Sequence, residues 1–337
     1  MIEYKQPQIV EELKRRIAEK EYVGTLPTSA ELAAEFGVNI KTMNKAIGQL
    51  VAAGQLERRR HCGTTVKFTN NAPAQQMVEV IFEGFTTVFT HPFWGEIWGG
   101  LVEKISLAGY RPILTMLESD PTTGLLCLDQ FKLCDSAGKV VLGISEKRLL
   151  DAVRAAKVPF ITACDELDDS EIPSVYFDFS AGIAAAIDHL QNSGCRRIAF
   201  IGQTQSYVNP MQLQKFNHYL RAVQKYRQVE PELIANVRPL ADQGGPAMRA
   251  ILKQTTPDAV LAAYDHQVPG IMAVLREKGL ELPVIGCDGL ILPELAADRH
   301  VVSAPRRKCG ELAADLLLKA IKEGRKIKRQ ALPAEFR

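Results

Sequence analysis

Two rhythms of apolar residues divide this chain near residue 77. Before that point, apolar positions recur every three or four residues. Ile9, Val10, Leu13 and Ile17 fall on one side of a helix expected over 7–20, with Pro7 in its first turn and Gly24 beyond its end. Leu32, Ala33 and Phe36 give a short second helix one apolar face. Met43, Ala46, Ile47 and Leu50 give a third helix the spacing i, i+3, i+4, i+7. The polar punctuation agrees. Thr28 and Glu31 stand at capping-box spacing, Gly37 can take the left-handed conformation that closes a helix, and Asn39 can cap the next one by accepting from Thr42. After Gly54, residues 55–60 and 64–68 read as two short strands around His61, Cys62 and Gly63. Residues 1–68 are thus expected to form a helix–turn–helix followed by a β-hairpin wing.

Residues 69–76 are polar, contain a proline and lack an apolar period, so they predict a linker. The second rhythm begins at Met77. Short apolar strands are expected at 78–82, 112–116, 139–142, 158–162, 175–177, 197–201, 259–263 and 283–285, with helices at 93–107, 180–191, 213–226, 266–278 and 308–322. Strands alternating with amphipathic helices predict an α/β fold of parallel sheets flanked by helices, and residues 77–337 are long enough for two such sheets. Ligands in open α/β sheets bind beyond the carboxyl ends of the strands, which singles out Asp178, Gly202, Asp265 and Asp288.

Charge sharpens the division. The net charge of +2 is uninformative as a total, but residues 1–70 hold eleven Lys and Arg against eight Asp and Glu, and the remainder is slightly acidic. The outer face of the third helix carries Lys41, Thr42, Asn44 and Lys45 and no acid. Such a face, presented by a helix–turn–helix, fits the DNA major groove, and Arg58, Arg59 and Arg60 in the wing suit phosphate contact. Solvated surface lysines and an ordinary basic run fit the same residues taken singly.

The first seventy residues resemble the winged helix–turn–helix of the GntR family of bacterial transcription regulators. The family's Gly-x-Leu-Pro-Ser-Glu-Arg-Glu-Leu-Ala, Phe-Gly-Val-Ser-Arg-x-Thr-Val-Arg-x-Ala-Leu and basic wing ending Gly-Thr-x-Val fall on Gly24 to Ala33, Phe36 to Ile47 and Arg58 to Val66. The resemblance implies DNA contact by Thr28, Ser29, Asn39, Lys41, Thr42, Asn44, Lys45, Arg58, Arg59, Arg60, His61, Gly63 and Thr64. There are departures. Ala30 replaces an arginine, Ile40 and Asn44 replace the recognition-helix arginines, and His61 replaces the first wing glycine.

Residues from about 77 to 337 resemble the effector domain of LacI/GalR regulators, which shares its fold with periplasmic sugar-binding proteins. The matching pieces are His91-Pro-Phe-Trp94 before a helix ending Ala-Gly-Tyr110, Val175-Tyr-Phe-Asp178, Arg196-Arg-Ile-Ala-Phe-Ile-Gly202, Pro257-Asp-Ala-Val260, Tyr264-Asp265 and Pro283-Val-Ile-Gly-Cys-Asp288. The resemblance implies two lobes, about 77–193 with 304–324 and about 195–302 with 327–337, and a cleft between them. By position, Phe93, Trp94, Asp178, Lys215, Tyr264, Asp265 and Asp288 would contact the effector, with Lys215 where the family has an arginine and Tyr264 where it has an asparagine. Aromatic walls with carboxylates suit a sugar or sugar derivative, whose C–H face stacks while its hydroxyls donate. A packed indole and helix-capping aspartates fit the same positions. The resemblance also implies a homodimer, whose two recognition helices would meet half-sites about 34 Å apart.

Other chemistry finds little support. The seven cysteines are scattered without a Cys-x-x-Cys, and the histidines show no metal-ligand spacing, so reduced thiols and no metal or cofactor are expected. The N-terminus lacks an apolar signal core and no run reaches membrane-spanning length, which points to a cytoplasmic protein without a membrane partner. There is no Gly-x-Gly-x-x-Gly after the first strand, no Walker loop, no Gly-x-Ser-x-Gly and no His-Glu-x-x-His, which speaks against an enzyme. The expectation is a ligand-responsive regulator, by default a repressor, that binds operator DNA. The alternatives are a sugar-binding receptor module without DNA function and, less favoured, an α/β enzyme with a helical appendage.

Overall fold

The computed structural model describes residues 6–18, 21–22, 25–52, 56–59, 63–66, 76–83, 91–120, 126–129, 131–205, 213–238, 240–293, 295 and 299–337. The chain forms two compact units, Met1–Ala72 and Pro73–Arg337.

The first unit contains α1 (Gln6–Ala18), α2 (Ser29–Glu35), α3 (Ile40–Ala52) and an antiparallel hairpin of β1 (Leu56–Arg59) and β2 (Gly63–Val66). Its core is the set that the apolar period selects: Ile9, Leu13, Leu32, Met43, Ile47 and Leu50 are all buried. The capping box is present, with Thr28 Oγ1 accepting from the Glu31 amide and Glu31 reaching back to the Thr28 amide. Gly37 has φ of +64°, the left-handed turn that joins α2 to α3. Asn39 Oδ1 accepts from the Thr42 amide at 2.8 Å, which anchors the first turn of α3. The Leu26 amide donates to the Thr64 carbonyl at 2.8 Å, so the segment entering α2 is laced to the wing. Gly24, Gly54, the wing tip and 69–75 of the expected linker lie outside the described residues.

The second unit holds two parallel sheets. One has six strands in the order β13-β7-β6-β5-β3-β4: Gln330–Pro333, Ser174–Asp178, Phe160–Cys164, Gly138–Leu142, Met77–Glu83 and Arg111–Leu117. The other has four in the order β11-β10-β8-β9: Val284–Gly286, Ala259–Ala262, Ile198–Gly202 and Ile234–Asn236. The inner strands are buried along their length, as parallel strands covered on both faces must be. Helices α4 (Pro92–Leu107), α5 (Lys147–Ala155), α6 (Ser180–Asn192), α7 (Gln214–Gln224), α8 (Gly244–Gln254), α9 (Val268–Glu277) and α10 (Arg306–Glu323) connect them. Helices α4 and α10 cross closely because each offers a glycine: a Cβ on Gly310 would stand 2.0 Å from the Ile97 carbonyl, and one on Gly100 2.4 Å from that of Arg307.

Several elements differ from expectation, among them the short strand β9, which had no expected counterpart. Helices α5 and α8 have no counterpart among the expected elements; α8 opens Gly-Gly-Pro, which reads as a turn, yet Gly244 lets the helix start against the Gln267 carbonyl. The C-terminal segment, expected in the second lobe, does not join the second sheet. Residues Gln330–Pro333 pair with β7 on the edge of the six-stranded sheet, where Pro333 can sit because an edge strand needs no second row of N–H donors. Glu335–Phe336 (β14) then pairs with Val302–Ser303 (β12).

One polar group is buried deep in the larger sheet. Lys139 Nζ donates to Glu79 Oε2 at 2.6 Å, the Cys134 carbonyl at 2.6 Å and Ser136 Oγ at 2.9 Å. Glu79 Oε1 accepts from Thr115 Oγ1 and the Cys134 amide. All three ammonium donors are satisfied.

Candidate functional site

Each of the two units carries one candidate site. In the first, the outer face of α3 is formed by Lys41, Thr42, Asn44 and Lys45, as the pattern requires once Met43, Ala46 and Ile47 turn inward. Lys41 and Lys45 are exposed. Asn44 Oδ1 accepts from Ser29 Oγ at 3.0 Å and from Arg58 Nη2 at 2.7 Å, so α2, α3 and the wing meet at one amide. Gly63 is exposed with φ of +82°, and Thr64 follows it in the hairpin.

Some expected DNA contacts are committed elsewhere. Thr28 Oγ1 serves the cap of α2, and Asn39 Oδ1 accepts from both the amide and the hydroxyl of Thr42. The hydroxyl of Ser29 is directed at Asn44 rather than outward. Arg60, His61 and the side chain of Arg59 lie outside the described residues.

In the second unit, the carboxyl ends of the two sheets face a common cleft. Lys215, on the first turn of α7, donates to Asp288 Oδ1 and to the Ala263 carbonyl, each at 2.7 Å. Its ammonium also lies 4.6 Å from the centre of the Phe179 ring and 4.7 Å from that of Tyr264. A cation held between two aromatic faces is attracted by both rings. Edge-to-face contacts run from Phe82 to Trp94, Phe93, Phe177 and Phe179; Phe82, Phe177 and Phe179 are buried in the core, and the partly exposed Phe93 and Trp94 pack against it on the larger-sheet side. Trp94 is fixed by Gly143, where a Cβ would come within 2.5 Å of the indole. Across the cleft, Tyr264 stacks on His266, and His91 Nε2 lies 3.2 Å from His266 Nδ1. Gln214 donates to Glu166 at 2.7 Å, a second link between lobes.

The carboxylates divide by role. Asp178 is half-buried; burial raises its pKa, but hydrogen bonds from Ser180 outweigh this and hold it below the usual range. Asp288 is buried, which opposes its charge, yet Lys215 holds it ionised and its pKa is lowered. Asp265 departs from the expectation of ligand contact. It is fully buried and accepts from the Asp288 amide, the Leu290 amide and Arg299. Burial and the neighbouring Asp288 raise its pKa, and Arg299 opposes that rise. It is a brace between strand ends, because its short side chain turns back onto the 288–290 loop. Arg306 completes the brace from α10, donating to the carbonyls of Asp288, Gly289 and Ala304 and to Glu96.

Sequence reasoning brought Phe93, Trp94, Asp178, Lys215, Tyr264 and Asp288 to this cleft, and it missed Phe177, Phe179, Gln214, Glu166, Arg299 and Arg306 as parts of it. Phe179 follows Asp178 directly, and that adjacency was the available signal. A surface groove of about 290 Å³ lined by Val158, Pro159, Phe160, Glu171 and Lys326 lies elsewhere, at the amino ends of β6 and β7.

Residues 5–66 match the family described as bacterial regulatory proteins, gntR family, and residues 187–336 match the periplasmic binding protein-like domain. The class is therefore a GntR-type helix–turn–helix joined to a LacI/GalR-type, periplasmic-binding-protein-like domain. The arabinose metabolism transcriptional repressor of Geobacillus stearothermophilus is 22% identical over 320 residues, covering 88% of this chain and 85% of its own. That span is too long for residues 73–337 alone, so the likeness extends into the helix–turn–helix. Among solved structures, the transcriptional regulator CelR–cellobiose complex superposes with a TM-score of 0.67 at 21% identity, covering 93% of this chain and 98% of the other. The lac repressor dimer bound to operator and the anti-inducer ONPF gives 0.63 at 20%, covering 79% and 93%. These two show a shared fold. No described helix is long and apolar enough to cross a membrane.

Proposed function

We propose that this protein is a ligand-responsive transcription repressor that binds operator DNA through α3 and the wing and takes a sugar or sugar derivative in the cleft. What carries the reading is the union in one chain of an acid-free, basic recognition face and a two-lobed cleft walled by aromatic rings and carboxylates. The relatives point the same way: one is named a repressor of arabinose metabolism, one structure holds cellobiose, and another is a dimer on operator. Lys41, Lys45 and Arg58 contact DNA, with Lys41 and Lys45 supplying phosphate or base-edge contacts. Phe93, Trp94 and Tyr264 line the cleft, and Asp178, Lys215 and Asp288 supply its polar contacts. The protein acts as a cytoplasmic homodimer and carries out no reaction.

Ligand shifts the equilibrium only if it binds the open and closed cleft with different affinity. The Lys215–Asp288 pair supplies a means, since ligand hydroxyls that bond to it make new contacts across the cleft. The test is fluorescence anisotropy on duplex DNA from immediately upstream of the coding sequence, with a salt titration and a panel of sugars. Tight binding that weakens steeply with salt and responds to one sugar supports both halves. Lys41→Ala with Lys45→Ala is expected to weaken DNA binding about tenfold or more and to flatten the salt slope by about two, with sugar affinity unchanged. Unchanged DNA affinity in that variant would refute the placement of the reading face.

A further inference from the structure

The recognition helix begins with an unusual residue. Ile40 is the first residue of α3 and is 51% exposed, the only large hydrophobic in the first unit that stands exposed among the described residues. Its neighbours on that face are Lys41, Asn44 and Lys45, so an apolar side chain projects from a surface otherwise suited to DNA. Asn44 lies one turn further along the same face, since residues four apart on a helix are neighbours.

Asn44 is constrained in a way that decides what it can recognise. A side-chain amide oxygen has two lone pairs. Both are taken, by Ser29 Oγ at 3.0 Å and Arg58 Nη2 at 2.7 Å. Arg58 has only donors, so the atom facing it must be the oxygen, and the NH₂ group is the one left for another partner. Asparagine ordinarily reads adenine in two bonds, accepting from N6 and donating to N7. With its acceptor occupied, Asn44 can only donate. The major-groove acceptors are guanine O6 and N7, adenine N7 and thymine O4, and only thymine carries a methyl group beside its acceptor.

Resting on the DNA-binding reading above, we propose that Ile40 and Asn44 together read one thymine in each half-site, Ile40 packing on the C5 methyl and the Asn44 amide donating to O4. The wing takes part without touching the base: Arg58 fixes the orientation of the amide that does.

The test uses the full-length protein and an operator selected from a random duplex pool, with anisotropy as the readout. Each thymine is replaced in turn by deoxyuridine, which removes only the methyl group. One position per half-site is expected to lose about fourfold in affinity, and about fifteenfold when both half-sites are changed, the value of one buried methyl each. Ile40→Ala, at an exposed position that leaves the fold intact, is expected to bind the thymine and deoxyuridine operators equally. Asn44→Asp keeps an acceptor toward Ser29 and Arg58 but replaces the donor with an acceptor. It is expected to turn a preference of about tenfold for thymine into one for cytosine, whose N4 donates. Tolerance of deoxyuridine at every position, or a deoxyuridine penalty that persists in Ile40→Ala, overturns the assignment while leaving DNA binding in place. Selection that enriches no sequence at all overturns the DNA-binding reading itself and the assignment with it.

Discussion

The second unit contains two lysine–carboxylate pairs of almost the same length in opposite circumstances. Lys139 and Glu79 meet at 2.6 Å with side chains 2% and 0% exposed; Lys215 and Asp288 meet at 2.7 Å with 12% and 4%. Around Lys139 three oxygens take all three ammonium donors. Around Lys215 two oxygens take two of the three donors, and the remaining environment is the faces of Phe179 and Tyr264. Saturation makes the first pair a fixed strut, because any new partner must displace an existing one. The second retains a donor facing aromatic surface, which is what a recognition site needs. A short ion pair is thus no guide to function by itself; the count of satisfied donors is.

Breaking each pair should separate them. Lys139→Met leaves Glu79 buried without its cation, and a loss of about 3–5 kcal/mol in stability is expected by urea unfolding. A loss below about 1 kcal/mol would mean that the strut carries no load. Lys215→Met is expected to cost less, about 1–3 kcal/mol, since the Asp265 amide still donates to Asp288. Its main effect should be functional: sugar affinity falls at least about tenfold by calorimetry, the loss of a hydrogen bond to a charged group. Its operator affinity in the absence of sugar should match that of the parent.

The smallest effect belongs to two partly buried histidines. Burial lowers the pKa of His91, at the cleft, and of His218, which Asp178 partly offsets. The unfolded chain, with imidazoles near about 6.5, takes up protons that the folded one resists. Stability from these groups is therefore full above about 6.5 and falls as pH drops toward the lowered folded values. Between about pH 7.5 and 5.5 the Tm should fall by roughly 1–3 °C. His91→Gln should remove part of that slope; an identical slope in the variant would place the proton uptake elsewhere.

The two units also differ in how much of their structure is set by neighbouring residues in the chain. The helical part of the first unit's core was legible, because helical spacing, a capping box and a left-handed glycine all act within a few residues, whereas Leu26 and Leu56 are buried by the pairing of the wing and carry no helical period. The two sheets were legible from the run of buried strands. Helix α8 was not, since its Gly-Gly-Pro start makes sense only against Gln267, which is brought there by the fold. The strand at 330–333 was placed wrongly because edge pairing is decided by which sheet has a vacant flank. The site divides likewise. Asp178, Asp265 and Asp288 all follow strands and look equivalent in the sequence, yet Asp265 turns inward to brace the loop after β11. Nor could spacing foresee that Asn44 would spend its acceptor on Ser29 and Arg58.

The placement of β13 sets an order of events during synthesis. The first unit carries its own core, drawn from residues 9–56. The six-stranded sheet lacks its last strand until residues 330–333 have emerged. At roughly 5–20 residues per second, that interval is on the order of 13–50 s. A growing chain therefore owns its DNA reader well before it owns a completed effector domain, and a chain stopped early would hold the former without the regulation supplied by the latter.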